Sequence, residues 1–245
     1  MSTTPFQEKP AESMEQGEAK NGQDAGFVRQ AFQKIAPRYV LTNHVLSLGV
    51  DVWWRKVTAE RVAQRKPDTI LDLATGSGDL AAEVQKWCPE AMVIGADFSQ
   101  PMLEEARGRG LKRLMVADAM NLPVADATVD VVTVAFGLRN MASWPGALCE
   151  MSRVLRPGGS LFVLDFSLPS SAPVRSAHLF YLRHIMPRVA GLITGERGAY
   201  EYLCSSIEKF PRGEEMCALM RANGFKNATA RPLTFGAASL YEAEK

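Results

Sequence analysis

Between residues 69 and 165, short apolar runs alternate with amphipathic stretches, and each change of period is marked by Gly, Pro, Asp or Ser. That rhythm predicts repeated βα units and a parallel sheet. Strands are expected at 69–74, 92–96, 113–117, 129–135 and 160–165. The helices between them begin at Asp79, at Ser99 with Pro101 in the first turn, and at Ser143. Proline is tolerated there because an N-terminal amide has no intrahelical partner. Upstream, Phe27, Ala31, Phe32 and Ile35 recur at helical spacing. A second helix is expected after Asp51 as N-cap, with Val52, Trp53, Val57 and Val62 as its apolar stripe. Past Ser167 the pattern breaks. Prolines at 169, 173, 187 and 211 and unalternating apolar residues predict a helical insertion over 167–211. A helix over 212–223, stopped by Gly224, and two strands near 225–231 and 236–242 close the chain.

Composition adds mainly exclusions. The 245 residues are 47% hydrophobic and 22% charged, which suits a globular domain with its own core. A net charge of +1 gives no electrostatic case for binding nucleic acid. Cys88, Cys149, Cys204 and Cys217 match no CxxC or zinc-ligand spacing, and isolated thiols suit a reducing compartment. His44, His178 and His184 have no metal spacing either, so no metal is expected and they read as packing or surface residues. No apolar run approaches the ~20 residues that span a bilayer. Residues 1–26 are polar, carry −3 and read as a disordered tail, which leaves +4 for residues 27–245, read as one domain.

Chemistry is concentrated at the strand ends. Asp72, Asp97 and Asp118 each stand at or near the end of an expected strand, where open α/β sheets bind ligands. Asp72 leads into Gly76-Ser77-Gly78, a loop able to turn tightly and let a ligand approach the backbone. Gly76-x-Gly78-x-x-Ala81 also fits a relaxed dinucleotide fingerprint. A carboxylate at position 72 would repel a pyrophosphate but suit an amino group or sulfonium. Asp97 is placed for ribose hydroxyls and Asp118 for an adenine amine. Three acids without a basic residue in the loop favour S-adenosylmethionine over NAD.

Asp72-x-Ala74-x-Gly76-x-Gly78, Asp97, Asp118-Ala119 and Arg156-Pro-Gly-Gly159 resemble the ordered motifs of class I S-adenosylmethionine-dependent methyltransferases. Tyr39-x-x-x-Asn43-x-x-Leu46-Ser47-x-Gly49 with Trp54, Phe136-Gly-Leu-Arg-Asn140, Asp165-Phe-Ser167 and Tyr200-x-Tyr202-Leu203 resemble signatures of the ubiquinone/menaquinone biosynthesis C-methyltransferases. The resemblance implies a Rossmann-like, mostly parallel sheet of seven strands with an antiparallel last hairpin. It also implies helical lid residues over 27–66 and a substrate cap over 167–211. By alignment Ser77, Asp97, Asp118 and Ala119 would meet the cofactor. The implied reaction is C-methylation of a polyprenylated quinol, demethylmenaquinol to menaquinol, with a ubiquinol precursor as a further acceptor. The chain departs from the family pattern at Val40, Thr42, Asp51 and Ala135, which bears on substrate more than on fold or cofactor.

Ring methylation needs an electron-rich carbon, hence the quinol, and a protein that stabilises its phenolate. Arg139 and Asn140, just after strand four, are the expected catalytic groups. A guanidinium with pKa above ~12 would stabilise an oxyanion or polarise a water and not act as a base. Tyr39 would hydrogen-bond a ring oxygen. The competing readings are an ion pair with a carboxylate for Arg139 and a lid or core aromatic for Tyr39. For the whole chain they are a methyltransferase of another small hydrophobic acceptor, or an inactive cofactor-binding scaffold. The partners expected are a lipophilic quinol, transient contact with the inner face of the cytoplasmic membrane, and a second copy of the chain. The location expected is cytoplasmic.

Overall fold

The computed structural model describes residue 47, residues 49–194 and residues 197–245. The expected helix around residues 27–35 and Tyr39 lie outside them. Seven strands form one sheet: β1 (Thr69–Leu73), β2 (Met92–Asp97), β3 (Leu114–Val116), β4 (Val129–Ala135), β5 (Leu155–Phe166), β6 (Lys226–Leu233) and β7 (Ala238–Glu244). Their order is β3-β2-β1-β4-β5-β7-β6. The first five are parallel, and β7 runs antiparallel between β5 and β6. The expected sheet and its antiparallel hairpin are therefore present.

Central parallel strands are covered on both faces and so read as unbroken apolar runs. Here Leu71, Leu73, Ile94, Val132, Val134, Leu161 and Val163 point to one layer. There they meet Leu148 and Met151 of α4 (Trp144–Val154) and Met216 and Met220 of α8 (Glu214–Ala222). Alternate residues Ile70, Val93, Val131, Phe162 and Leu164 point to the other. That face is covered by α1 (Val50–Ala63) and α2 (Asp79–Trp87), with α3 (Gln100–Gly108) contributing Ala106.

Two expectations need correction. Helix α1 starts two residues early, with Gly49 as N-cap at φ +75°, so Asp51 lies in the first turn and is not the cap. Its buried stripe is Trp54, Thr58, Ala59 and Val62, while Val52 and Trp53 face outward. A buried threonine hid that face. The Thr58 hydroxyl donates to the Trp54 carbonyl one turn back (2.9 Å), so its polarity costs nothing in the core. Strand β5 also begins five residues early. Its register jumps from Val129–Leu155 to Val131–Ser160, so the residues between, including Pro157-Gly-Gly159, form a bulge inside the strand.

The insertion is helical: α5 (Ala172–Phe180), a wide turn over Tyr181–Ile185, α6 (Met186–Thr194) and α7 (Arg197–Lys209). Leu168, Leu182, Met186, Leu203, Cys204 and Ile207 give it a small core that joins the sheet through Phe166. Among the described residues no helix is long and apolar enough to cross a membrane.

Candidate active site

Strand order reverses between β1 and β4, and the crevice beyond their carboxyl ends is where such sheets hold ligands. The chain leaves β1 through Ala74 at φ +50° and then Gly76 and Gly78 at φ +54° and +79°. A Cβ on Gly78 would run into Leu111 and Ala106, so only glycine lets the loop settle onto α3. Beneath the loop, Asp72 is buried and accepts from the hydroxyls of Thr75 (2.6 Å) and Thr133 (2.5 Å). Its carboxylate supports the loop from below and is not presented at a surface.

Burial pushes the Asp72 carboxyl up to about 6, against the pull of the two threonine bonds. A raised folded-state pKa makes the ionised form a cost: absent below the unfolded value, it accrues as the pH rises through about 6. Asp72→Asn should remove it. Chemical denaturation at pH 4 and pH 7 should show the variant gaining on the wild type by on the order of 2 kcal/mol. Parallel pH profiles would refute this assignment.

Asp97, at the end of β2, accepts from the backbone amides of Gly76 (2.8 Å) and Ser99 (2.9 Å). It thereby ties the loop to the start of α3. Burial raises its pKa while the Ser99, Gly76 and Phe98 amides oppose the rise. A carboxylate offers about four acceptor sites, so capacity for ligand hydroxyls remains. Ser77 donates to Asp79 (2.7 Å) at the start of α2. Asp118 and Ala119 follow β3, half-buried, with the Asp118 carboxylate turned onto the Met120 amide (2.9 Å). Acceptors on neighbouring strand ends and a glycine loop without room for side chains fit an adenosyl group with a cationic tail.

The chain leaves β4 through another left-handed residue, Phe136 at φ +58°. Gly137 then packs so closely that a Cβ on it would lie 2.5 Å from the Ala74 Cβ, joining the two loops at their bases. Phe136 packs at a tilt against Phe166 (4.7 Å) and Trp54 (6.1 Å between centroids). Arg139, expected at the substrate, is 0% exposed. Its guanidinium donates to Asp165 (2.7 Å) and to the Phe136 carbonyl (2.5 Å) and lies 5.1 Å from the Phe166 ring centre. Asn140 is half-buried, and its Oδ1 accepts from the Tyr202 hydroxyl of α7 (3.5 Å). Burial raises the Tyr202 pKa, while the Arg139 cation works in the opposite direction.

Residues 16–245 match the model of the ubiE/COQ5 methyltransferase family. This chain belongs to that family. It is an S-adenosylmethionine-dependent methyltransferase. It is 43% identical over 229 residues to the demethylmenaquinone methyltransferase of Deinococcus radiodurans, covering 91% of this chain and 95% of that one. To the enzyme of the same name from Thermus thermophilus it is 44% identical over 219 residues, covering 87% and 99%. Among solved structures, a SAM-dependent methyltransferase from Thermotoga maritima superposes with a TM-score of 0.61 at 18% identity. It covers 88% of this chain and 99% of that one, a likeness of fold.

The ubiE/COQ5 chain thus brings Asp72, Gly76, Ser77, Gly78 and Asp97 together around one loop, with Asp118-Ala119 two strands from β1. Arg139 and Asn140 share a turn but not an environment, the first buried and the second half-open. Thr133 escaped the sequence reading, and Asp165 and Tyr202 entered it only as members of family signatures, with no role assigned. Thr133 is a polar residue in the middle of an apolar strand, the one signal that could have drawn attention to it.

Proposed function

We propose that this methyltransferase acts on a ring carbon of demethylmenaquinol, giving menaquinol. The observation that carries the reading is the near full-length likeness to two enzymes named demethylmenaquinone methyltransferase. When bound, S-adenosylmethionine supplies an electrophilic methyl group. Gly76, Ser77 and Gly78 would let its amino-acid end approach the backbone. Asp97 would take the ribose hydroxyls, Asp118-Ala119 would meet the adenine, and Asp72 would act on the cationic end through charge. Asn140 and Tyr202 would present an amide and a hydroxyl to the quinol oxygen. Arg139 would act at one remove: a cation that favours ionised Tyr202 also favours a quinol phenolate beside it. Tyr39 is retained as a further partner for a ring oxygen.

The insertion supports a greasy acceptor delivered from a membrane. Its exposed surface carries Val174, Phe180, Ile185 and Val189 with the exposed Arg188, a combination suited to transient contact with anionic lipid. Quinone profiling by mass spectrometry of a strain lacking the gene should show accumulated demethylmenaquinone. A normal quinone pool would overturn the substrate. Accumulated ubiquinone precursor alone would move the chain to the other pathway.

A further inference from the structure

The amino-acid end of S-adenosylmethionine is a zwitterion. Its ammonium suits a loop flanked by acids, but its carboxylate would lie in the field of Asp72 and Asp79, both bonded to that loop. A cation must accompany it, and the loop has none. Helix α1 supplies one. Arg55 lies on the α1 turn after the buried Asp51, with its guanidinium 5.5 Å from the Phe136 ring centre at the end of β4. Its side chain is 12% exposed, and Asp51 is the one hydrogen-bond acceptor it meets among the described residues. A guanidinium has five donors, so a second carboxylate can be held beside the first. Asp51 in turn accepts from Ser47 (2.6 Å), which braces the pair from the start of the helix. Burial pushes the Asp72 and Asp79 carboxyls up, and the charge of Arg55 opposes that rise at both. Packing of α1 against α2 and β5 keeps it there.

We propose that Arg55, delivered by α1 and oriented by Asp51 and the Phe136 ring, binds the carboxylate of the cofactor's amino-acid end. This residue selects the carboxylated donor over a sulfonium that carries only the amine. The rival cation is Arg109, which is paired with Asp79 at the start of α2 and is 39% exposed.

Calorimetry on the full chain with two ligands separates them: S-adenosylmethionine, and its decarboxylated form, which keeps the sulfonium and the amine. Wild type should bind the carboxylated ligand about 10–100-fold more tightly, as one charge-assisted pair implies. In Arg55→Gln that ratio should fall to about one or invert, while the decarboxylated ligand binds about as before. Arg109→Gln should keep the wild-type ratio. Arg55→Lys retains a charge for Asp51 but cannot fork to two carboxylates, so its ratio should fall between, and it gives the answer if the neutral variant fails to fold. A ratio unchanged in Arg55→Lys and Arg55→Gln, or lost in Arg109→Gln, overturns the assignment. Equal loss for both ligands in Arg55→Gln would overturn it too, since it would make Arg55 a packing residue.

Discussion

Arg139→Ala should lower the unfolding free energy by about 3–5 kcal/mol, the usual cost of removing one partner from a buried ion pair. The reason is Asp165. Its carboxylate is 0% exposed, and its pKa is already raised by burial, with the Arg139 charge as the first force holding it down. Without that cation the folded-state pKa climbs further. The sign follows: a raised carboxyl costs nothing below its unfolded value and progressively more as the pH rises through the folded one. The deficit should therefore be larger at pH 7.5 than at pH 5, as read by denaturant unfolding. Arg139→Met with Asp165→Leu removes both charges together and should recover most of the stability. If that double variant also recovers methyl transfer, Arg139 serves the fold alone. If it folds and stays inactive, the guanidinium's field is part of the chemistry.

Asp97→Ala should weaken S-adenosylmethionine binding by about one to two decades, from ~1.5–3 kcal/mol per charged hydrogen bond. Two losses would add here. One is the acceptor that the proposed reading offers to the ribose, and the other is the tie from the Gly76 amide that fixes the loop. Asp97→Asn keeps one carbonyl acceptor and should lose less. Calorimetry giving wild-type affinity for the alanine variant would sink the ribose assignment.

The parallel strands were legible because burial on both faces leaves an apolar run, and the Asp or Gly that ends it is a local signal. Strands β2 and β4 fall within one residue of the spans read from that signal alone. The loop and Asp97 were legible for the same reason: a sheet's binding edge is where strands stop. What stayed hidden depends on register. Asp72 with Thr133 spans 61 residues, and Arg139 with Asp165 spans 26. Only the alignment of β1, β4 and β5 brings either pair together. The face of α1 was misread because Thr58 satisfies itself within the helix, so hydropathy alone misplaced the stripe. Tyr202 reaches Asn140 from an insertion whose apolar residues follow no strand period.

The contact between Gly137 and Ala74 carries a kinetic consequence. Both loops leave their strands through left-handed residues, Ala74 and Phe136, conformations that cost on the order of 1–3 kcal/mol each and persist only where neighbours hold them. With backbone against methyl group, the donor loop cannot shift without moving the turn that bears Asn140. On the proposed reading, seating the donor on that loop would also set the turn bearing Asn140, so product-inhibition kinetics should show a compulsory order, donor on first and its demethylated product off last.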